Sequence, residues 1–129
     1  MPYKTFWYEE NRVVFAEILE DFTVEEMVSL NQEYDTIYFM EGHKPIHLIA
    51  DLRGMSNYPK NLIQIRDITR QTALQPGLGS IILIGTDNAL VKFLSTTIFQ
   101  LLHVNCKIVG SLEEAEKILD NINFADSNS

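Results

Sequence analysis

The sequence has one cysteine in 129 residues, Cys106, which excludes an intrachain disulfide and any zinc site built from several thiolates. It reads as a small buried hydrophobe at the start of a strand. Basic residues are scarce, ten Lys and Arg against eighteen Asp and Glu, for a net charge of −8. Nucleic-acid binding rests on clustered cations that neutralise phosphates, so no nucleic-acid partner is expected. Long apolar runs are missing as well. No stretch approaches the roughly 18 residues of a membrane-spanning helix, and MPYKTFWYEENR has neither the basic start nor the apolar centre of a signal peptide. A cytoplasmic protein without a membrane span is the expectation. Linkers, repeats and low-complexity segments are also lacking, and the length suits one domain with one sizeable core. A single domain over residues 1–123 is expected, with a frayed tail over 124–129.

What is present is unevenly distributed. Residues 1–51 carry eleven acids and three bases, and residues 87–129 six acids and three bases. Between them, residues 52–86 carry four bases, Arg53, Lys60, Arg66 and Arg70, against the single acid Asp67. Two readings of this basic island stand: a solvated helix face, or a site for an anion or acidic partner.

Strand and helix patterns alternate along the chain. YKTFWYE and VVFAEIL are rich in aromatic and β-branched residues and break at Glu10-Asn11, which predicts an antiparallel hairpin. Thr23 followed by Glu26 forms a capping box that opens a helix through about Met40, with Gly42 as its stop. PIHLIADL is a strand, and Pro59 suits the first position of a second helix that runs to about Leu74. SIILIGT is an unbroken apolar run of the kind covered on both faces of a sheet. A third helix is predicted over residues 88–103. CKIVG is a short last strand, and SLEEAEKILDNI a last helix with Ser111 as N-cap and Glu114 three residues on. The order β-β-α-β-α-β-α-β-α predicts an α/β sandwich in which a hairpin leads into parallel strands joined by crossover helices. Such sheets carry their functional loops at the carboxyl ends of the strands, where HLIADLRGMSNYPKN falls.

That stretch holds the residue types of a nucleophilic triad, His47, Asp51 and Ser56. On a strand rising about 3.3 Å per residue, His47 and Asp51 stand roughly 13 Å apart, too far to share a hydrogen bond or a metal. His43 and His103 have no nearby ligand at helix or strand spacing. PGLGSI precedes a strand rather than a helix and so lacks phosphate-binding geometry. An Asp closing a buried strand also occurs in response-regulator receivers, but the acidic pair and strand-ending lysine they need are missing. No catalytic residue, metal ligand or cofactor is assigned.

The hairpin, the helix beginning FTVEEM, the strand PIHLIADLRGM, and ILIGTDN with KIVG and SLEEAEKIL together resemble the STAS superfamily. That group includes the bacterial anti-sigma-factor antagonists and cytoplasmic domains of sulfate transporters. Within it the chain looks like the small stand-alone SpoIIAA-like, or STAS/SEC14-like, proteins. Asp51-Leu52-Arg53-Gly54-Met55 is similar to the antagonists' D-L-S-G-V strand end. Their Asp-Ser-Ser-Gly helix start, with its phosphorylated serine, has no counterpart, because its positions fall near Pro59-Lys60-Asn61-Leu62. The resemblance implies a non-enzymatic regulatory or protein-docking module without the usual phosphoserine switch. A carrier or sensor of a small anionic or lipid-like ligand is the second reading, and an enzyme of unknown type the third.

On this reading the partner or anion site is the loop from Arg53 to Lys60 with the helix behind it, comprising Asp51, Arg53, Ser56, Lys60, Arg66 and Arg70. Asp51 is expected either to accept hydrogen bonds from free backbone N–H groups in the turn through Gly54 or at the next helix start, or to touch the ligand. Phe99 falls on the polar arc of the third predicted helix and points to a homodimer.

Overall fold

The computed structural model describes residues 3–38, 45–57, 61–75, 77–85, 100, 103 and 105–127. Strands β1 (Tyr3–Glu9) and β2 (Val13–Asp21) form the expected hairpin. Its turn closes through the Arg12 N–H on the Glu9 carbonyl, with Asn11 in the left-handed conformation that asparagine tolerates. Helix α1 (Val24–Glu33) starts on Thr23, whose hydroxyl oxygen accepts the Glu26 N–H, and passes into a π-helical turn, Tyr34–Tyr38. Strand β3 (Ile46–Asn57), helix α2 (Leu62–Ala73), strands β4 (Leu78–Ile84) and β5 (Cys106–Val109), and helix α3 (Leu112–Ser127) complete the order. Met40, Gly42, His43, Pro59, Lys60, the third predicted helix apart from residues 100 and 103, and Phe99 lie outside the described residues.

The five strands among the described residues lie in the sheet in sequence order, antiparallel at the hairpin and parallel from β2 to β5. Alternation along the strands divides the core in two. On one face Val14, Ala16 and Ile18 of β2, Leu48 of β3, and Ile81 and Leu83 of β4 pack against Leu30, Tyr34 and Tyr38 of α1 and its π turn. On the other, Val13, Phe15, Ile49, Ile82 and Ile84 pack beneath Ala115 and Leu119 of α3. The structure is therefore an α/β sandwich with a mixed sheet between helical layers, as the sequence pattern predicts.

Helix α2 is tied to α1 by a buried polar contact. The Asn31 amide donates to the Ile68 carbonyl at 2.6 Å and accepts the Thr72 hydroxyl at 2.6 Å. All three residues are buried, and a buried amide left without partners costs about 1–3 kcal/mol, so the contact fixes how the helices sit.

Three boundaries differ from expectation by more than two residues. β3 runs five residues beyond the predicted Leu52, because β2 continues to Asp21 and pairs Leu19 with Gly54, Glu20 with Met55 and Asp21 with Asn57. α2 begins at Leu62, not near Pro59, because Asn61 is its cap and accepts the Gln64 N–H at 3.1 Å. α3 continues to Ser127, past the predicted Ile122, since no Gly or Pro interrupts that stretch.

Candidate functional site

The parallel strands all end toward the same end of the sheet, and β2 and β3 together outrun β4 and β5 there. β4 stops at Ile84, level with Asp51, and β5 at Val109, level with Ile84. Beyond Asp51, β3 continues with β2 as its partner strand among the described residues, and the register slips twice along this ribbon. Arg53, Gly54, Met55 and Ser56 are therefore strand residues on a projecting ribbon, which corrects the loop placement read from the sequence. Gly54 and Ser56 resemble turn residues only when the distant β2 partner is left out of account.

Asp51 and Arg53 stand two residues apart on the same side of β3, as period-2 alternation requires. Asp51 is 7% exposed. Its carboxylate accepts the Arg53 backbone N–H at 3.0 Å, Nε at 2.9 Å and Nη2 at 2.9 Å. One residue thus supplies a backbone bond and a two-pronged guanidinium clamp. Burial would raise the Asp51 carboxyl, but the Arg53 side-chain and backbone hydrogen bonds and its charge outweigh it and hold the group below its ordinary value. The same pairing raises Arg53. Of the two sequence readings of Asp51, the backbone bond is present within β3, at Arg53, rather than at the next helix start.

The Arg53 stem crosses the end of β4 at Gly85, which has φ +68°. A Cβ there would collide with Arg53 Cγ, so a side chain would meet both a strained backbone and an occupied space. Gly85 is the site residue that sequence reasoning missed. A glycine ending an apolar strand is an available signal, but what it must admit lies 32 positions away.

The remaining predicted residues are less concentrated. Ser56 is exposed on the ribbon. Arg66 is exposed and reaches Asp67 at 3.2 Å, so its charge is partly met by its neighbour. Arg70 is in the last turn of α2, where the helix carbonyls favour a cation. Lys60 lies outside the described residues. Beside them, Ile63 in the first turn of α2 is 64% exposed, a large apolar side chain that the sequence reading did not single out.

The triad residue types are not brought together. His47 is buried, and its Nδ1 accepts the Ser80 N–H at 2.9 Å, while Asp51 is held by Arg53. Burial pushes the Cys106 thiol up to about 12, which leaves it protonated at neutral pH. Among the described residues no group of three His, Cys, Asp or Glu is placed to hold a metal ion, and no helix is long and apolar enough to cross a membrane.

The Asp51 clamp should show in acid unfolding. The native carboxyl titrates below the unfolded one, so the unfolded chain takes up protons first. The stabilisation is complete above the ordinary carboxylate range and is lost as pH falls from about 4 through the depressed native value. Asp51→Asn should cost about 1–3 kcal/mol at neutral pH, and the gap to the parent should close in acid. Urea midpoints of both proteins across a pH series check this; a gap independent of pH refutes the clamp.

Neither a protein-family model nor a curated protein matches the sequence. The fold has a solved counterpart: the structure of the anti-sigma factor antagonist SpoIIAA in its unphosphorylated form superposes with a TM-score of 0.56 at 12% identity, over 92% of this chain and 97% of that one. The chain has the fold of that structure, and the likeness extends over almost the whole of both chains.

Proposed function

We propose that this chain is a non-enzymatic STAS-type regulatory module that docks a protein partner on the β3 ribbon and the start of α2. The observation that carries the reading is the Asp51–Arg53 clamp across Gly85. It ties the polar groups of β3 to one another and stiffens the strand on which Ser56 is exposed, while Ile63 and Arg66 are exposed in the first half of α2. A pre-organised surface with an exposed apolar anchor suits docking, because little ordering remains to be done on binding. The shared fold with an anti-sigma factor antagonist agrees with this role.

The phosphoserine switch is absent on this reading. Asn61 holds the capping position of α2, and its side chain is engaged with the Gln64 N–H. The nearest exposed hydroxyl described on the ribbon, Ser56, belongs to β3 instead. Arg53 also changes standing: reversing its charge would set a second carboxylate beside buried Asp51, so it tests the fold as much as the partner.

Ile63 is the cleaner probe. Native mass spectrometry of protein purified from its own source should retain a polypeptide; a retained anionic or lipid-like molecule instead would favour carriage. Against that polypeptide, Ile63→Asp should weaken binding roughly tenfold or more, the range of a lost interface anchor, with the thermal midpoint unchanged. Equal affinity of variant and parent removes the α2 start from the interface.

A further inference from the structure

Among the described residues, β1 forms one margin of the sheet and pairs on a single side, with β2. Protein edges of this kind are normally blunted by short length, proline, several charges or a bulge, since their outward N–H and C=O groups template another strand. β1 is seven residues long and carries Tyr3, Phe6, Trp7 and Tyr8, with Lys4 its one cation. Its bulge comes only at the far end, between Trp7 and Glu9. Phe6 lies on the α3 side of the sheet, stacked on Phe15 with ring centroids 5.0 Å apart, and is still 47% exposed.

We infer that β1 pairs antiparallel with β1 of a second copy of this chain, about a twofold axis at Phe6, to give one continuous sheet through both copies. The sequence of the strand is complementary to itself in that arrangement and not in the in-register parallel one. Phe6 meets its own counterpart, and each exposed ring covers the other while already held in place by Phe15. Thr5 falls opposite Trp7. Lys4 falls opposite Tyr8, whose hydroxyl is hydrogen-bonded to the Glu116 carboxylate and which has Glu9 and Asp120 as acidic neighbours. The cation that would repel a parallel copy therefore meets negative charge in the antiparallel one. The bulge between Trp7 and Glu9 bounds the paired stretch at Tyr8 and leaves the hairpin turn clear. This surface is separate from the β3 ribbon and does not depend on the docking proposal.

Sedimentation velocity across a concentration series should show the full chain dimerising. Phe6→Glu sets two carboxylates face to face on the axis and should raise the dimer dissociation constant roughly tenfold or more, with circular dichroism unchanged. Because Phe6 also stacks on Phe15, a second measurement guards against misfolding. In a Cys106→Ala background, Phe6→Cys should oxidise to a cross-linked dimer, since directly opposed residues bring their Cα atoms to about 4.5–5.5 Å, within the span a disulfide bridges, whereas Lys4→Cys should not. A wild type that stays monomeric throughout, a Phe6→Glu dimer as tight as the parent, or cross-linking at position 4 in place of position 6 overturns the inference. Dissociation by Phe99→Asp with Phe6→Glu unaffected overturns it in favour of the other predicted surface.

Discussion

Gly79→Ala should destabilise the fold by about 2–4 kcal/mol, a large loss for so small a change. A Cβ at this position would enter the imidazole ring of His47, closer than any real contact. The ring cannot swing aside, because His47 is 3% exposed and its Nδ1 is held by the Ser80 N–H. The β3–β4 register slips at this point, from Ile46 opposite Leu78 to Leu48 opposite Ile81, so the irregular strand and the seated imidazole are one device. Moving the ring would leave a buried N–H without its acceptor, adding that cost to the overpacking. Equilibrium urea denaturation measures the loss. If Gly79→Ala matches the parent within 0.5 kcal/mol, roughly the range of a harmless surface change, the ring has room that this geometry denies.

Ile82→Ala should cost about 3 kcal/mol, within the usual range for truncating a fully buried aliphatic side chain. Ile82 is 0% exposed on β4 and lies in the core beneath α3, with Val13, Phe15 and Ile49 of the neighbouring strands in the same cluster. Strands paired on both sides cannot easily close in on a void, which keeps the cost from falling to the lower end. Val28→Ala on α1, where the side chain is 39% exposed, should change the midpoint little and serves as the control. Thermal and urea midpoints of the three proteins decide it; equal midpoints for Ile82→Ala and Val28→Ala would mean that the α3 layer is not a packed core.

These two residues mark how far the sequence could be read. SIILI is an apolar run of the kind found in a strand covered on both faces, and β4 is that strand. The same local logic places β1, the Thr23 cap, and the start of α3 at Ser111, whose hydroxyl oxygen accepts the Glu114 N–H. Gly79 is different. The sequence shows a glycine in GLG and excludes a phosphate loop, but its purpose is set by His47, 32 positions earlier in the chain.

The candidate site divides in the same way. Asp51 and Arg53 are visibly two apart at a strand end, so their common side follows from strand geometry alone. The clamp they make, and Gly85 beneath it, depend on where β4 stops. The ribbon was hidden for a related reason: Arg53-Gly54-Met55-Ser56 has the composition of a turn, and pairing with Leu19–Asp21 overrides it. Local propensity decides where nothing distant competes, and long-range pairing decides elsewhere.

The buried bond between Asn31 and α2 has a consequence for how this protein can change over generations. The pose of α2 is set on its buried side, by Ile68 at its middle and Thr72 near its end, and not by the exposed residues of its first half. Substitutions at Ile63, Gln64, Arg66 and Asp67 can therefore accumulate without shifting the helix that bears them. Recognition can drift toward a new partner while the scaffold stays still, and two proteins with this architecture can present unrelated surfaces from the same place.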